Sequence, residues 1–187
     1  SNGKIVLGVD RREGSSQLPW LYRYQSNGTL ESGIQPTNNE GEGWWPLVFQ
    51  APNGAMYFTS KTTIDNQTHF MLMRLQTDGS PDQSFGSNGR RTWNESDSNE
   101  IDWIADLVVD DNGKVMLLGG EESSPERSVI ARLNSDGSDD ITFNSTGYSF
   151  FVLRDPSTAD YVSSNAMVLS GNSILVAGGG SIDDSGS

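Results

Sequence analysis

The sequence predicts an all-β chain built as a tandem array of four-stranded antiparallel units. Three observations carry this: two separate segments that recur with one period, Asn-Gly or Asp-Gly turn signals between short apolar runs, and a composition with 21 Gly, 7 Phe, 5 Trp and 5 Tyr in 187 residues. Many glycines and aromatics suit short strands joined by tight turns better than long helices.

The first recurring segment is Gly3-Lys4-Ile5-Val6-Leu7-Gly8, then Gly54-Ala55-Met56-Tyr57-Phe58, Gly113-Lys114-Val115-Met116-Leu117-Leu118-Gly119 and Asn172-Ser173-Ile174-Leu175-Val176-Ala177-Gly178. Aligning Ile5, Met56, Val115 and Ile174 gives spacings of 51, 59 and 59 residues. The second segment is Leu21 to Gly28, Leu72 to Gly79 and Ile130 to Gly137, whose arginines Arg23, Arg74 and Arg132 lie 51 and 58 apart. Shorter markers keep step: Trp44 with Trp103, and Phe85 with Phe143. Two segments sharing one period define a repeat, and a shorter first interval implies trimmed loops in the first copy.

Each full copy reads as four strands. The first, Trp44 to Gln50 or Trp103 to Val109, runs into Pro52-Asn53-Gly54 or Asp111-Asn112-Gly113. Asn-Gly is a strong hairpin signal because both residues tolerate positive φ. The second strand, as in Val115-Met116-Leu117-Leu118, is apolar on both faces, as expected of a strand covered on both sides. The third, for example Phe70 to Gln76, ends at Thr77-Asp78-Gly79, ahead of a polar stretch anchored by Phe85. A fourth begins near Gly89 or Gly147; Arg90-Arg91-Thr92-Trp93 is short and polar, as suits an outer edge.

Four antiparallel strands per period match a β-propeller blade better than a solenoid coil, and a β-sandwich of similar strands gives no reason for a period. The blades are expected at residues 1–43 (partial), 44–102, 103–161 and 162–187 (the start of another), together one propeller segment. Just over three blades do not close a ring that needs about four to eight. The array is therefore expected to be part of a longer chain, or to close with a second molecule.

The pieces Arg74-Leu75-Gln76-Thr77-Asp78-Gly79-Ser80-Pro81-Asp82-Gln83-Ser84-Phe85-Gly86 and Ala131-Arg132-Leu133-Asn134-Ser135-Asp136-Gly137-Ser138-Asp139-Asp140-Ile141-Thr142-Phe143 resemble the signature of the delta-60 repeat β-propellers of bacterial, often exported, proteins. Each pairs a strand and Asp-Gly turn with an Asp-x-x-Phe anchor. The first copy departs from it, with Asn27 for the turn Asp and Ile34 in the anchor position. The resemblance implies a propeller and a secreted, cell-surface or periplasmic setting. It implies no activity.

Twelve basic against 25 acidic residues give a formal charge of -13, a field that repels nucleic acid and anionic lipid and favours cations or basic partners. No cysteine is present, which excludes disulfides and thiol catalysis. No apolar run approaches the roughly 20 residues of a membrane-spanning helix, and the opening Ser1-Asn2-Gly3-Lys4 has no signal-peptide core.

The motifs that could carry chemistry are weak. Asn134, Asp136 and Gly137 imitate part of a calcium loop, but Arg132 and Phe143 stand where its first and last carboxylates belong, so turn chemistry is the simpler reading. Loop calcium stays a minor expectation, and no cofactor is expected. Glu121-Glu122, Asp139-Asp140, Asp183-Asp184 and the run Glu95, Asp97, Glu100, Asp102 could supply glycosidase-type acids, although solvated loop carboxylates are the default. The single histidine, His69, has no serine motif and no second imidazole beside it. Gly178-Gly179-Gly180 opens no convincing helix, and four Asn-x-Ser/Thr sequons, at Asn27, Asn66, Asn94 and Asn144, are near chance.

Aromatic residues are the better binding candidates. Trp44 and Trp45 follow Glu40, Glu42 and Gly43, a setting suited to stacking a sugar or a partner side chain. Because Trp44 recurs as Trp103, packing between blades is expected of that pair, which leaves Trp45, Trp20, Trp93 and Glu42 as the candidate surface. The recurring positions Arg23, Arg74, Arg132, Gly28, Gly79, Gly137, Phe85, Phe143, Trp44 and Trp103 read as structural, the arginines joining loops or blades through charge-assisted bonds. The expected function is a non-catalytic binding or scaffolding module presenting loops to a protein or glycan; the alternatives are a carbohydrate-active enzyme using loop carboxylates and a structural spacer.

Overall fold

The computed structural model describes residues 3–14, 16–35, 43–94, 101–121, 127–152, 162–171 and 173–180. Among these every regular element is a strand, so the all-β expectation holds. The chain forms two compact units, residues 1–100 and 101–187. Among the described residues no helix is long and apolar enough to cross a membrane.

The first unit holds two sheets. One has three strands in the order β1 (Ile5–Glu13), β2 (Ser16–Tyr24), β3 (Leu30–Ile34). The other has four, β4 (Gly43–Gln50), β5 (Met56–Ile64), β6 (Gln67–Leu75) and β7 (Arg90–Asn94), each antiparallel to its neighbour. The second unit repeats the pattern with β8 (Trp103–Val109), β9 (Val115–Glu121), β10 (Arg127–Leu133) and β11 (Tyr148–Phe151), followed by the pair β12 (Val162–Ser170) and β13 (Ser173–Gly180).

The interior strands are buried on both faces, as their unbroken apolar runs require: all seven residues of β9 and the first seven of β5 are buried. Sheets stack through alternating side chains. Leu21 of the first sheet packs with Met56, Phe58, Met71, Met73 and Leu75 of the second, flanked by Val6 and Val48. In the second unit Met116, Leu118 and Ile130 pack with Met167, and Val108, Leu169, Ile174 and Val176 close around them. Each such buried side chain contributes about 1.5–3 kcal/mol.

The first strand of a sheet carries an irregularity at the same place each time, between Trp44 and Leu47, Ile104 and Asp106, and Ser164 and Ala166. Such bulges bend the strand, and glycine on the facing strand makes room for it. A Cβ on Gly119 would lie 2.1 Å from the Trp103 carbonyl oxygen, and one on Gly178 would lie 2.3 Å from that of Ser163. The Gly-Gly strand ends are thus packing features within β9 and β13, and Gly178 needs no phosphate to explain it.

Two turn types depart from expectation. In the Asn-Gly and Asp-Gly turns only glycine takes positive φ: Gly28, Gly54, Gly79, Gly113 and Gly137 do, while Asn27, Asn53, Asp78, Asn112 and Asp136 do not. Gly79 N–H donates to the Gln76 carbonyl at 2.9 Å and Gln76 N–H to that of Ser80 at 2.8 Å, a three-residue loop closed by a glycine bulge. The two-residue turn with both residues at positive φ is Asp65-Asn66, φ 51° and 61°, joining β5 to β6.

The shorter first repeat has a specific cause. Residues 25–29 alone join β2 to β3, whereas 76–89 and 134–147 make the equivalent connections. The first copy lacks the corner that contains Asp-x-x-Phe. Ile34, expected as an anchor, is instead the strand partner of Leu21.

Candidate functional site

The strongest local chemistry lies in the corners after the third strands. Arg74, on β6, donates from Nε to Asp82 Oδ2 at 2.8 Å and from Nη2 to Ser84 Oγ at 2.7 Å. The other oxygen of Asp82 accepts from Ser84 N–H at 3.1 Å and Oγ–H at 2.7 Å. The guanidinium lies 5.1 Å from the centre of the Phe85 ring, a cation–π contact over a fully buried anchor. Arg132, Asp140, Thr142 and Phe143 repeat the contacts over a partly buried ring: Nε to Oδ2 2.6 Å, Nη2 to Thr142 Oγ1 3.0 Å, and guanidinium to ring 4.8 Å.

In two of the three copies a lysine joins the arginine on one carboxylate: Asp140 of the corner in the third, and Glu31 of β3 in the first, which lacks the corner. Lys114 Nζ donates to Asp140 Oδ2 at 2.5 Å, and Lys4 Nζ to Glu31 Oε1 at 2.6 Å, where Arg23 Nε also stands 3.1 Å from Glu31 Oε2. In the second copy Ala55 holds the lysine position. Every one of these carboxyls is held below its ordinary range: Asp140 chiefly by Lys114 and then Thr142, Asp82 chiefly by Ser84, Glu31 chiefly by Lys4. The recurring arginines are thus engaged within their own copies. Arg23 also reaches the next sheet, its Nη1 donating to the Thr77 carbonyl.

Where the first two sheets meet, their turn ends leave a cleft of about 600 Å³. Val6, Val48 and Met56 form its apolar floor, and Lys4, Arg23 and Asp78 supply the charge. Asp78 Oδ1 accepts from Ser80 N–H and Oγ–H at 2.9 and 2.6 Å, which holds that carboxyl low as well. The volume lies within the range of small-ligand sites, roughly 300–1,000 Å³, and the mix of apolar floor and few polar groups is their usual make-up. Nothing in the sequence marked this cleft, because its walls come from four segments that only the stacking of sheets brings together.

The candidate aromatic residues separate. Trp93 is 1% exposed and faces Phe70 across β6 and β7, so it is a core residue and offers no surface. The short, arginine-rich β7 read as a polar edge, yet its alternate residue points inward. Trp20 is half-buried, stacks on Tyr22 with ring centres 5.9 Å apart and planes at 17°, and carries Arg11 4.6 Å above it. Glu42 lies outside the described residues, as do the side chains of Trp44 and Trp45, whose backbones belong to β4. Trp103 sits differently from expectation: its indole covers Gly120 of the adjacent strand in its own sheet, where a Cβ would lie 2.2 Å from the ring.

Among the described residues the acidic candidates do not converge either. Glu121 is bound by Arg127, Nε to Oε2 2.8 Å, and Asp139 accepts from the Tyr148 hydroxyl at 2.9 Å. Glu95, Asp97, Glu100, Glu122, Asp183 and Asp184 lie outside the described residues. Among the described residues no three His, Asp or Glu side chains gather as metal ligands would. Asp136, the centre of the calcium-like turn, accepts from Ser138 N–H at 2.9 Å and its hydroxyl at 2.6 Å.

Four-stranded antiparallel sheets, repeated corners and face-to-face stacking define a protein of β-propeller-type repeats. Residues 51–85 and 111–143 each match the family model described as "Domain of unknown function (DUF5122) beta-propeller". Both matched stretches run from the first turn through the second and third strands and end on the anchors Phe85 and Phe143. No curated protein matches the chain.

Proposed function

We propose that this chain is a non-catalytic binding or scaffolding module, its repeats at 1–43, 44–102, 103–161 and 162–187 forming one propeller segment that presents turn-end loops to a protein or glycan. The cleft walled by Lys4, Arg23, Gln50, Gly54, Thr77 and Asp78 is the observation that carries this reading. Its charges are engaged by neighbours, so it offers shape, an apolar floor and fixed hydrogen-bonding groups rather than a reactive group. The delta-60 kinship suggested by the Asp-x-x-Phe corners supports an exported bacterial setting, secreted or at the cell surface, and no cofactor is needed.

A carbohydrate-active enzyme would need one carboxyl raised to act as an acid beside a second that stays ionised. Asp78, Asp82, Asp140 and Glu31 are all shifted the other way. A spacer would leave the cleft without use. Screening the chain on arrays of glycans and immobilised extracellular proteins, with mass analysis of every retained ligand, separates the three. Retention of an intact ligand is the expected result; a chemically altered ligand supports the enzyme, and silence across the arrays supports the spacer.

A further inference from the structure

The cleft between the first two sheets has a counterpart in the second unit that a side chain of the protein itself fills. In every copy the recurring arginine stands opposite one residue of the neighbouring strand: Arg23 opposite Val6, Arg74 opposite Tyr57 and Arg132 opposite Met116. In the two later copies an anchor ring packs against that arginine. Phe85 lies on Arg74 and meets Tyr57 edge-on, with ring centres 5.9 Å apart. Phe143 lies on Arg132 and packs on the cluster that includes Met116 and Met167, as does Ile174.

The first copy keeps the socket and lacks the ring. Its floor of Val6, Val48 and Met56 takes the positions of Met116, Met167 and Ile174. Val6 and Met116 follow the aligned Ile5 and Val115, Met56 aligns with Ile174, and Val48 faces Phe58 as Met167 faces Val176. Lys4 and Arg23 correspond to Lys114 and Arg132, and Glu31 replaces Asp140 as their carboxylate partner. The Asp-x-x-Phe ring has no equivalent among the described residues, because residues 25–29 join β2 to β3 directly and Ile34 pairs with Leu21. That connection lies inside the chain, so the missing ring does not depend on where the sequence begins or ends.

We infer that the cleft receives an aromatic side chain from a partner protein, its ring laid on the Arg23 guanidinium and over Val6, Val48 and Met56, as Phe143 lies in the equivalent socket. This rests on the proposed binding function and narrows the ligand from protein or glycan to protein. The guanidinium donors lie in its plane, Nε toward Glu31 and Nη1 to the Thr77 carbonyl, which leaves the flat face for a ring. The attraction acts on a π system, so a sugar ring gains nothing from that face. The described lining also carries no aromatic side chain on which a sugar could stack. With Glu31 already bound to both cations, the partner needs no carboxylate of its own; it needs the ring.

Nuclear magnetic resonance of the isotope-labelled chain, titrated with a capped peptide of residues 141–144, Ile141-Thr142-Phe143-Asn144, tests it. The peptide is uncharged, so the net charge of -13 does not repel it. Two analogues carry leucine or cyclohexylalanine in place of the phenylalanine. The phenylalanine peptide is expected to shift the amide signals of Val6, Arg23, Val48 and Thr77, and to bind about threefold or more tightly than either analogue, the margin of a cation–π contact. Arg23→Gln removes that margin. Circular dichroism checks that the variant stays folded, and if it does not, the three peptides on the unmodified chain decide the matter. Equal binding of all three overturns the inference, as do shifts confined to other residues or no shift at millimolar peptide. Signals of the cleft that move with chain concentration alone place a second copy there and overturn it too. A chain that retains a glycan on the arrays but ignores the peptide keeps the binding function and loses this inference; silence in both experiments ends both.

Discussion

Arg132 Nε donates to Asp140 Oδ2 at 2.6 Å across eight residues of chain, with the guanidinium 4.8 Å from the centre of the Phe143 ring. Arg74 and Asp82 repeat the bond at 2.8 Å above Phe85. The two corners differ in one respect that sets their worth: the Asp140 side chain is 2% exposed and faces Lys114 as well, whereas Asp82 is 29% exposed and faces a single cation.

Asp140→Asn is therefore expected to destabilise the chain more than Asp82→Asn. The neutral amide leaves two cations facing one buried site without their counter-charge. Urea midpoints of both variants and the unmodified chain measure the difference; equal midpoints for the two variants contradict it.

Acid should unfold the protein through the same groups. The folded pKa values of Asp140 and Asp82 lie below the ordinary one, so the unfolded chain binds more protons once pH drops below about 4. The stability these carboxylates contribute is complete above that pH and is lost as pH falls through their depressed values. Urea midpoints should fall between pH 5 and pH 3, values chosen to bracket the ordinary range of about 4, and fall less in Asp140→Asn than in the unmodified chain.

The anchors should rank by burial. Phe85 is fully buried and meets Tyr57 edge-on at 5.9 Å, so Phe85→Ala is expected to cost about 3–5 kcal/mol. Phe143 is only partly buried, and Phe143→Ala should cost clearly less. Chemical denaturation of both variants gives the ranking.

Gly79 and Gly28 occupy equivalent turns with φ of 91° and 83°, yet only Gly79 meets a neighbour: a Cβ there would lie 2.5 Å from Ile34 Cδ1. Gly28→Ala should cost roughly 1–2 kcal/mol from backbone strain alone, and Gly79→Ala more. Thermal unfolding of the two variants would show this order.

The repeat, the strands and the first-copy shortening were legible because period and apolar alternation survive in one dimension. Turn detail was less so: Asn53-Gly54 reads as a turn with two positive-φ residues, yet Asn53 keeps negative φ because the glycine bulge needs only one. Asp65-Asn66, which does use both, has no glycine to mark it. Arg74 and Arg132 were visible as a recurring pair, and Asp82 and Asp140 recur with them, but Asp140 read as half of an acidic pair because nothing linear aims it at Arg132. Trp93 read as surface because β7 is short and rich in arginine, whereas its pairing with Phe70 turns it inward. The cleft was beyond reach, since it exists only where two sheets leave their turn ends apart.

The most direct test of the account is retention on the ligand arrays by the unmodified chain beside two single variants. Gln50→Trp fills the cleft from an exposed wall position, and Asp111→Trp places the same bulk on an exposed turn that does not line it. Ligand held by the unmodified chain and by Asp111→Trp, but lost by Gln50→Trp, is the predicted result. Equal retention by all three would contradict the cleft as the binding surface.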